Sequence, residues 1–208
     1  MVRKILFGAV VVIALVVAVL SAVIALQPST FHVERSLTMS APADQVFAQV
    51  NDFHKWDIWS PWLKDDPNAK ATYEGPTSGE GAIFRWAGNN EVGEGSMTIL
   101  ESKPHEDIQI ELHFLKPFED TATTDFAFTP VGEQTKVTWT MDGKKNFISK
   151  AMCLFVFDMD QMIGSKYEEG LASMKKVVEA APHESASPES APTESTGEPP
   201  PAEAPSET

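Results

Sequence analysis

Cysteine is nearly absent from this sequence of 208 residues. Cys153 is the single thiol, so the chain cannot form an internal disulfide, and a small disulfide-stabilised scaffold is excluded. Cys153 lies in a dense apolar run without a histidine nearby in the sequence. Because an activated thiol needs a basic or electropositive neighbour, the sequence favours a buried, inert cysteine at this position.

Positive charge is scarce as well. Sixteen Lys and Arg residues are set against thirty Asp and Glu residues, which gives a formal net charge of −14. A surface of this sign repels the phosphate backbone, so nucleic acid is excluded as a partner. The composition also predicts no basic patch that would attract anionic lipid headgroups.

Sequence motifs for metal, phosphate and nucleophilic chemistry are missing. None of the five histidines belongs to a His-x-x-x-His pair, and there is no Gly-x-Ser-x-Gly elbow and no phosphate-binding loop. We therefore expect no metal ion, no cofactor and no catalytic residue that a motif identifies. A cyclase-type reaction would still need an acid or base near its substrate. The strand-borne candidates, which fit exposed or ion-paired positions better, are Arg35, Glu101, Asp125 and Asp142.

The longest apolar run lies at the N-terminus. Ile5 to Leu26 contains no charged residue, and a helix rising about 1.5 Å per residue crosses a hydrocarbon layer about 30 Å thick at this length. Arg3 and Lys4 precede the run, which predicts a cytoplasmic N-terminus and a domain on the non-cytoplasmic side of the membrane. We interpret residues 1–27 as a transmembrane signal anchor. The alternative is a cleaved signal peptide and a secreted protein, but signal peptides usually have a shorter apolar segment and an Ala-x-Ala site.

Aromatic and branched aliphatic residues are missing from residues 182–208. This segment consists mostly of Pro, Glu, Ser, Ala and Thr, and it contains no Lys or Arg. Such a composition cannot bury enough apolar surface to offset the entropy that is lost on ordering. The sequence therefore predicts a disordered acidic tail after a folded domain of residues 30–181.

The folded domain combines short alternating segments with one long helical pattern. Apolar and polar residues alternate in segments that end at Gly, Pro or Asn, which predicts an antiparallel sheet of six to seven strands with one buried face. Residues 41–50 and 53–59 are predicted to form two short helices after the first strand. From about Phe147 to Glu179, apolar residues recur at three- and four-residue steps, which predicts one long helix across the sheet. The fold class is therefore α+β.

These elements resemble the helix-grip fold of the START-like (SRPBCC) superfamily, in a polyketide cyclase/dehydrase-type form with an N-terminal membrane anchor. The resemblance covers residues 31–180, and its most specific block is Trp59-Ser60-Pro61-Trp62. Gly79-x-Gly81-Ala82, Thr138-Trp139 and Tyr167-Glu168-Glu169-Gly170-Leu171 also carry it. It implies a curved sheet around a long C-terminal helix, with an apolar ligand held between them. Because one fold serves many activities, the resemblance implies a fold and not one particular reaction.

Aromatic residues and methionines are the candidate ligand-binding residues. Trp56, Trp59 and Trp62 lie close together, where they either pin the short helices to the sheet or form the rim of a cavity. In a helix-grip fold, the inner face of the sheet and the methionines of the last helix line a ligand site or fill the core. The predicted ligand-binding residues are Trp59, Trp62, Phe84, Trp86, Phe114, Trp139, Met141, Met152, Phe155 and Met159.

Three alternative functions agree with these features. The first, which we favour, is non-catalytic binding of a hydrophobic small molecule or lipid by a domain tethered to the membrane through Ile5–Leu26. The second is a cyclase-, dehydratase- or hydrolase-type enzyme that acts on an apolar substrate. The third is an interaction module with a filled core and no ligand. An open apolar cavity favours the first, an ionisable pair inside the cavity favours the second, and a filled interior favours the third.

Overall fold

The computed structural model describes residues 2–90, 92–156 and 158–181. Helices lie at Val2–Ala25 (α1), Ala43–Val50 (α2), Trp62–Asp65 (α3), Phe147–Phe155 (α4) and Met159–Ala180 (α5), with a 3₁₀ helix at Phe53–Ile58. The strands are Thr30–Met39 (β1), Lys70–Glu74 (β2), Ile83–Ala87 (β3), Glu94–Lys103 (β4), Asp107–Lys116 (β5), Asp120–Val131 (β6) and Gln134–Lys144 (β7). The predicted tail, residues 182–208, lies outside the described residues.

The strands form one curved antiparallel sheet of seven strands, in the order β1-β7-β6-β5-β4-β3-β2. This confirms the α+β prediction of an antiparallel sheet with a C-terminal helix. The apolar residues that alternate with polar ones in the sequence lie on the buried face of the sheet. On β7, for example, Val137, Trp139 and Met141 are buried, whereas the residues between them are partly exposed.

The register gathers several strand ends beside the end of α1. β1 starts opposite the end of β7, at the pair Thr30 and Lys144, and β6 starts near the same end of β7. β4 starts opposite the end of β5, at the pair Glu94 and Lys116. We call this edge, where β1, β4 and β6 start and β5 and β7 end, the proximal end of the sheet.

α5 runs across the sheet with its first turn nearer the proximal end. Asp160 in that turn accepts a hydrogen bond of 2.8 Å from Arg35 in the middle of β1. Glu179 in the last turn accepts a hydrogen bond of 2.6 Å from the amide of Ser40, which follows β1. The buried side chains of α5 recur at helical spacing and join the core: Tyr167, Leu171, Met174 and Val178.

The prediction of one unbroken helix from Phe147 to Glu179 is wrong. The long C-terminal helix is present as α5, but residues 147–155 form the separate helix α4. The cause is Asp158, whose carboxylate accepts hydrogen bonds from the amides of Asp160 at 2.9 Å and Gln161 at 3.3 Å. These bonds satisfy the free amides of a new helix start. An Asp followed by Gln three residues later was the sequence signal for this boundary.

α1 is long and apolar enough to cross a membrane, although a signal sequence near an N-terminus has the same properties. Most of its side chains are exposed, and Ile24 in the last turn is its buried residue. Lys150 of α4 donates a hydrogen bond of 3.4 Å to the carbonyl oxygen of Ala25. The end of α1 therefore lies against α4, at the proximal end of the sheet.

Candidate functional site

A cavity of about 320 Å³ lies between the sheet, α3 with the preceding 3₁₀ helix, and α5. Its volume is near the lower end of the range for ligand pockets, about 300–1,000 Å³. The wall is mostly aromatic and aliphatic. The lining residues include Phe53, Trp56, Ser60, Trp62, Leu63, Phe84, Trp86, Met97, Leu112, Phe114, Thr124, Trp139, Met141, Met162, Ile163 and Tyr167.

Most of the predicted ligand-binding residues line this cavity, namely Trp62, Phe84, Trp86, Phe114, Trp139 and Met141. Trp86 on β3 is paired with Gly95 on β4. A β-carbon on Gly95 would lie 2.6 Å from the Trp86 ring, so only glycine lets the indole rest on the neighbouring strand. Sheet geometry thus presents these aromatic faces to the cavity, and ligand binding by them stays a prediction.

Trp59 lies behind the cavity wall. It is fully buried, with its ring centroid 4.6 Å from that of Trp56 and 5.8 Å from that of Trp139. The indole N–H groups of Trp56 and Trp59 both donate to carbonyl groups at the end of α2. Trp56 and Trp59 therefore hold the 3₁₀ helix against α2 and the sheet. Trp56 also lines the cavity, as does Trp62, whereas Trp59 does not.

Met152, Phe155 and Met159 lie outside the cavity lining. Met152 and Phe155 are exposed on α4. Met159, the first residue of α5, lines a second cleft beside the end of α1. The helix boundary at Asp158 explains their placement, because α4 packs beside α1, whereas an unbroken helix would have continued along the sheet.

Sequence reasoning missed several lining residues. Leu112 lies on the cavity face of β5, so the alternation of apolar residues in that strand could have identified it as a lining residue. Ile163 and Tyr167 lie four residues apart on one face of α5, so the apolar stripe of that helix could have identified them as lining residues. Ser60 and Thr124 are polar, and an apolar pattern cannot identify such residues.

Polar groups on the cavity wall converge on Thr124. Its hydroxyl donates to the carbonyl oxygen of Thr140 at 2.6 Å and accepts from Nε1 of Trp139 at 2.8 Å. The Tyr167 hydroxyl lies 3.1 Å from the same oxygen. Because Thr124 has one hydroxyl proton, which Thr140 receives, Tyr167 is the donor in this pair. Burial raises the pKa of Tyr167, so the phenol stays protonated at neutral pH.

Ser60 and Trp62 offer polar groups that the described part of the chain leaves without partners. Ser60 is 3% exposed and lines the cavity, and its hydroxyl bonds to no described residue. The indole N–H of Trp62 has no acceptor among these residues either, whereas the other four tryptophans each have one. Both residues line the cavity, and a hydroxyl and an indole N–H are groups that bind a polar group of a ligand.

Carboxylate and imidazole groups are missing from the lining that the described residues form. Lys116 lies at the exposed side of the cavity and forms an ion pair of 2.7 Å with Glu94. The acid–base candidates of the sequence have partners elsewhere: Arg35 with Asp160 and Glu168, Glu101 with Lys103, Asp125 with Gln109, and Asp142 with His32. In residues 2–90, 92–156 and 158–181, no group of three His, Cys, Asp or Glu side chains is placed to hold a metal ion.

The cavity opens at the proximal end of the sheet. Its exposed lining residues are Lys116, Pro117 and Met162. The first two lie where β5 ends, and Met162 lies in the first turn of α5. The mouth is therefore on the same side of the domain as the end of α1.

A curved antiparallel sheet that grips one C-terminal helix over an apolar cavity defines the helix-grip class of domains. Residues 30–179 match the family described as polyketide cyclase / dehydrase and lipid transport. Because this match covers most of the chain, the protein belongs to that family. No curated protein matches the chain in sequence.

Solved structures share this fold at low sequence identity. Protein CV1439 from Chromobacterium violaceum is 15% identical, with a TM-score of 0.53 over 74% of this chain and 100% of that chain. The di-domain ARO/CYC protein StfQ from the steffimycin biosynthetic pathway is 13% identical, with a TM-score of 0.54 over 73% of this chain and 51% of that chain. Ara h 8.0201 is 11% identical, with a TM-score of 0.51 over 73% of this chain and 99% of that chain. At these identities the likeness supports the fold alone.

Proposed function

We propose that the protein binds a hydrophobic small molecule or lipid in this cavity while α1 tethers it to a membrane. The observation that carries the proposal is a cavity of about 320 Å³ with aromatic and aliphatic walls. Removing apolar ligand surface from water there contributes roughly 25 cal/mol per Å² before the costs of binding. The family description, which includes lipid transport, agrees with this function.

The chemistry of the wall indicates the class of ligand. Phe84 and Trp86 are stacked, with ring planes 18° apart, and Trp139 adds a further aromatic face. These surfaces suit a flat or elongated apolar molecule. Ser60 and Trp62 suit one hydroxyl or carbonyl group on it, because their hydroxyl and indole N–H have no partner among the described residues.

Catalysis of the cyclase type has less support. General acid–base catalysis needs a group that titrates near the working pH. The phenol of Tyr167 is the titratable group deep in the lining, and burial moves its pKa away from neutrality. A ligand-free interaction module also has less support, because the interior is not filled.

The tether is proposed to hold the domain on the non-cytoplasmic side. Arg3 and Lys4 lie in the first turn of α1, before its apolar run, and cationic residues are retained on the cytoplasmic side. The packing of Ile24 and Ala25 against α4 supports retention of α1, because cleavage before β1 would remove these contacts.

Photocrosslinking in a membrane tests the binding function. The full-length protein is reconstituted in liposomes that contain a photoactivatable fatty acid or a photoactivatable sterol, and crosslinked peptides are mapped by mass spectrometry. We expect crosslinks to cavity residues such as Met97 and Leu112, which are buried from the surface. Crosslinks confined to α1 and the outer surface would contradict the proposal.

A variant that fills the cavity provides the matched comparison. Ala69 lines the cavity and is followed by β2, so Ala69→Trp places an indole in the ligand space without removing a core side chain. Ala172 is exposed on α5, and Ala172→Trp adds the same group at the surface. The first variant should lose the cavity crosslinks and the second should keep them. Equal crosslinking in both would place the ligand elsewhere.

A further inference from the structure

Exposed apolar side chains of the domain are concentrated at the proximal end of the sheet. Six of them are between 47% and 71% exposed: Phe147, Ile148 and Phe155 of α4, Val156 after it, Leu115 near the end of β5, and Phe118 in the β5–β6 turn. We call these six residues the apolar rim. Away from this end, the exposed large apolar residues that follow Leu26 in the described chain are isolated: Ile58, Leu100 and Val131. Clustered exposure of this kind marks an interaction surface, whereas single exposed residues do not.

α4 behaves as a surface element and not as a core helix. None of its residues is buried, although its sequence, FISKAMCLF, is mostly apolar. It has its own N-terminal cap, because the side chain of Asn146 accepts a hydrogen bond of 2.8 Å from the amide of Ser149. Its apolar side chains therefore need a covering that the described part of the domain does not provide.

α4 packs against the end of α1. The Lys150 side chain donates to the carbonyl oxygen of Ala25, at the C-terminal end of α1, and Ile24 is buried beside it. If α1 spans a bilayer, its last turn lies where the hydrocarbon meets the headgroups. α4 then lies at the same depth.

We propose that α4 and the β5–β6 turn form a second membrane contact, with the apolar rim inserted into the interface of the bilayer that α1 spans. Interfacial helices of this kind bury their apolar side about 5–10 Å into the boundary between headgroups and acyl chains. α4 contains no acidic residue, and Lys144 and Lys145 precede it. Long lysine side chains reach the headgroups from such a depth. Glu119, next to Phe118, keeps the turn at the interface and out of the hydrocarbon centre.

A bilayer fits this surface better than a protein partner does. The α4 part of the rim lies against α1, so the lipid that surrounds α1 reaches it without a further binding event. The two rim segments come from distant parts of the sequence but project from one end of the sheet. A membrane plane contacts both segments at once.

The contact gives the cavity a direct route to its ligand, an inference that rests on the proposed function. Pro117 at the mouth is followed directly by the rim residue Phe118, and Met162 lies in the first turn of α5, which follows α4 in the chain. A ligand would pass from the acyl chains into the cavity without crossing bulk water. The ligand class is therefore a membrane-dissolved apolar molecule.

Spin-label depth measurements on the full-length protein test the contact. Cys153 is the single cysteine, so Cys153→Ser gives a background for single labels at Phe118→Cys, Phe155→Cys and Val131→Cys. Val131 is 49% exposed at the opposite end of the sheet and serves as the control. In liposomes, we expect the ratio of oxygen to nickel-chelate collision rates to be several times higher at 118 and 155 than at 131.

Each outcome decides the proposal. If position 155 is as accessible to the nickel chelate as position 131, the contact does not exist. Immersion of position 118 without position 155 would also overturn it, because α4 is its main element. Shielding from both reagents that disappears when the protein is diluted with lipid would indicate a second copy on the rim, and so would contradict a lipid contact.

Ligand loading separates this proposal from the proposed function. Phe155→Asp should slow crosslinking of the photoactivatable fatty acid to the cavity several-fold, and Val131→Asp should leave the rate unchanged. Immersed labels without any cavity crosslink would support the membrane contact and contradict the binding function. Cavity crosslinks with water-exposed labels at positions 118 and 155 would support the binding function and contradict the membrane contact.

Discussion

The indole ring of Trp139 lies almost parallel to the phenol ring of Tyr167, with ring centroids 3.8 Å apart and ring planes 10° apart. Trp139 belongs to β7 and Tyr167 to α5, so the stack joins the helix to the sheet. Both side chains also bond to the same hydroxyl oxygen, that of Thr124. Since both rings line the cavity, the binding surface and the core share these two residues.

Truncation of two of the cavity tryptophans, Trp139 and Trp86, should separate folding from binding. Trp139 is 2% exposed and packs on Phe126 and Tyr167, so Trp139→Ala should lower the free energy of unfolding by about 3–5 kcal/mol. Trp86 is only partly buried and rests on Gly95. Trp86→Ala should therefore reduce fatty-acid crosslinking in the cavity more than it reduces stability. Chemical denaturation and crosslinking yield measure the two effects, and equal destabilisation by both changes would indicate that Trp86 is only a packing residue.

Alkaline pH should weaken the contribution of Tyr167. Burial raises the pKa of this phenol, whereas a tyrosine in the unfolded chain ionises near pH 10 (roughly its reference pKa). Above about pH 10 the unfolded state therefore binds fewer protons than the folded state, and the free energy of unfolding falls as pH rises. The contribution is fully present below that pH.

Tyr167→Phe isolates this effect. At neutral pH the variant should be less stable by about 0.5–1.5 kcal/mol, since it loses one hydrogen bond while Thr124 keeps its other two partners. The stability difference from the parent should shrink as pH rises above about 10. Denaturation of the parent and of Tyr167→Phe across alkaline pH measures this difference. A stability difference that stays constant across this range would contradict a raised pKa of the Tyr167 phenol.

Two glycines of α5 should respond differently to alanine. A β-carbon on Gly170 would lie 2.9 Å from the Trp139 ring, which is fixed by its neighbours, so overpacking of about 1–3 kcal/mol outweighs a helix-propensity gain of about 1 kcal/mol. Gly164 faces the guanidinium end of Arg35, which can move aside. Gly170→Ala should thus cost roughly 1 kcal/mol, and Gly164→Ala should be nearly neutral. Thermal unfolding of both variants compares the two stability losses. A larger loss for Gly164→Ala would show that the ion pairs of Arg35 prevent its side chain from moving aside.

Thiol labelling should reveal the orientation of the anchor. In a Cys153→Ser background, a membrane-impermeant maleimide should label Val131→Cys in intact spheroplasts of a bacterial host. It should label Val2→Cys only after the membrane is permeabilised. Labelling of Val2→Cys in intact cells would reverse the topology. Recovery of a shorter soluble protein that lacks the N-terminal segment would instead indicate signal cleavage.

The sequence predicted the strands well because their signal is local. Alternation with a two-residue period, ended by Gly, Pro or Asn, needs no knowledge of distant contacts. Phe84, Trp86 and Trp139 could be assigned to the inner face for this reason. Met152 and Phe155 could not be placed by the same reasoning, because the apolar stripe in the sequence continues across Asp158, whereas the helix does not. The capping pattern from Asp158 to Gln161 was the local signal that outweighed the stripe.

The sequence by itself determined the apolar N-terminal helix, the antiparallel sheet, the C-terminal helix and most aromatic residues of the cavity. Each depends on periodicity or composition within one segment. Only the tertiary structure decided that Tyr167 and Trp139 stack on one hydroxyl, that Ser60 faces the cavity without a partner, and that α4 lies beside α1 and not over the sheet. These relationships join residues far apart in the chain, and their geometry depends on register, helix boundaries and packing, which no single segment encodes.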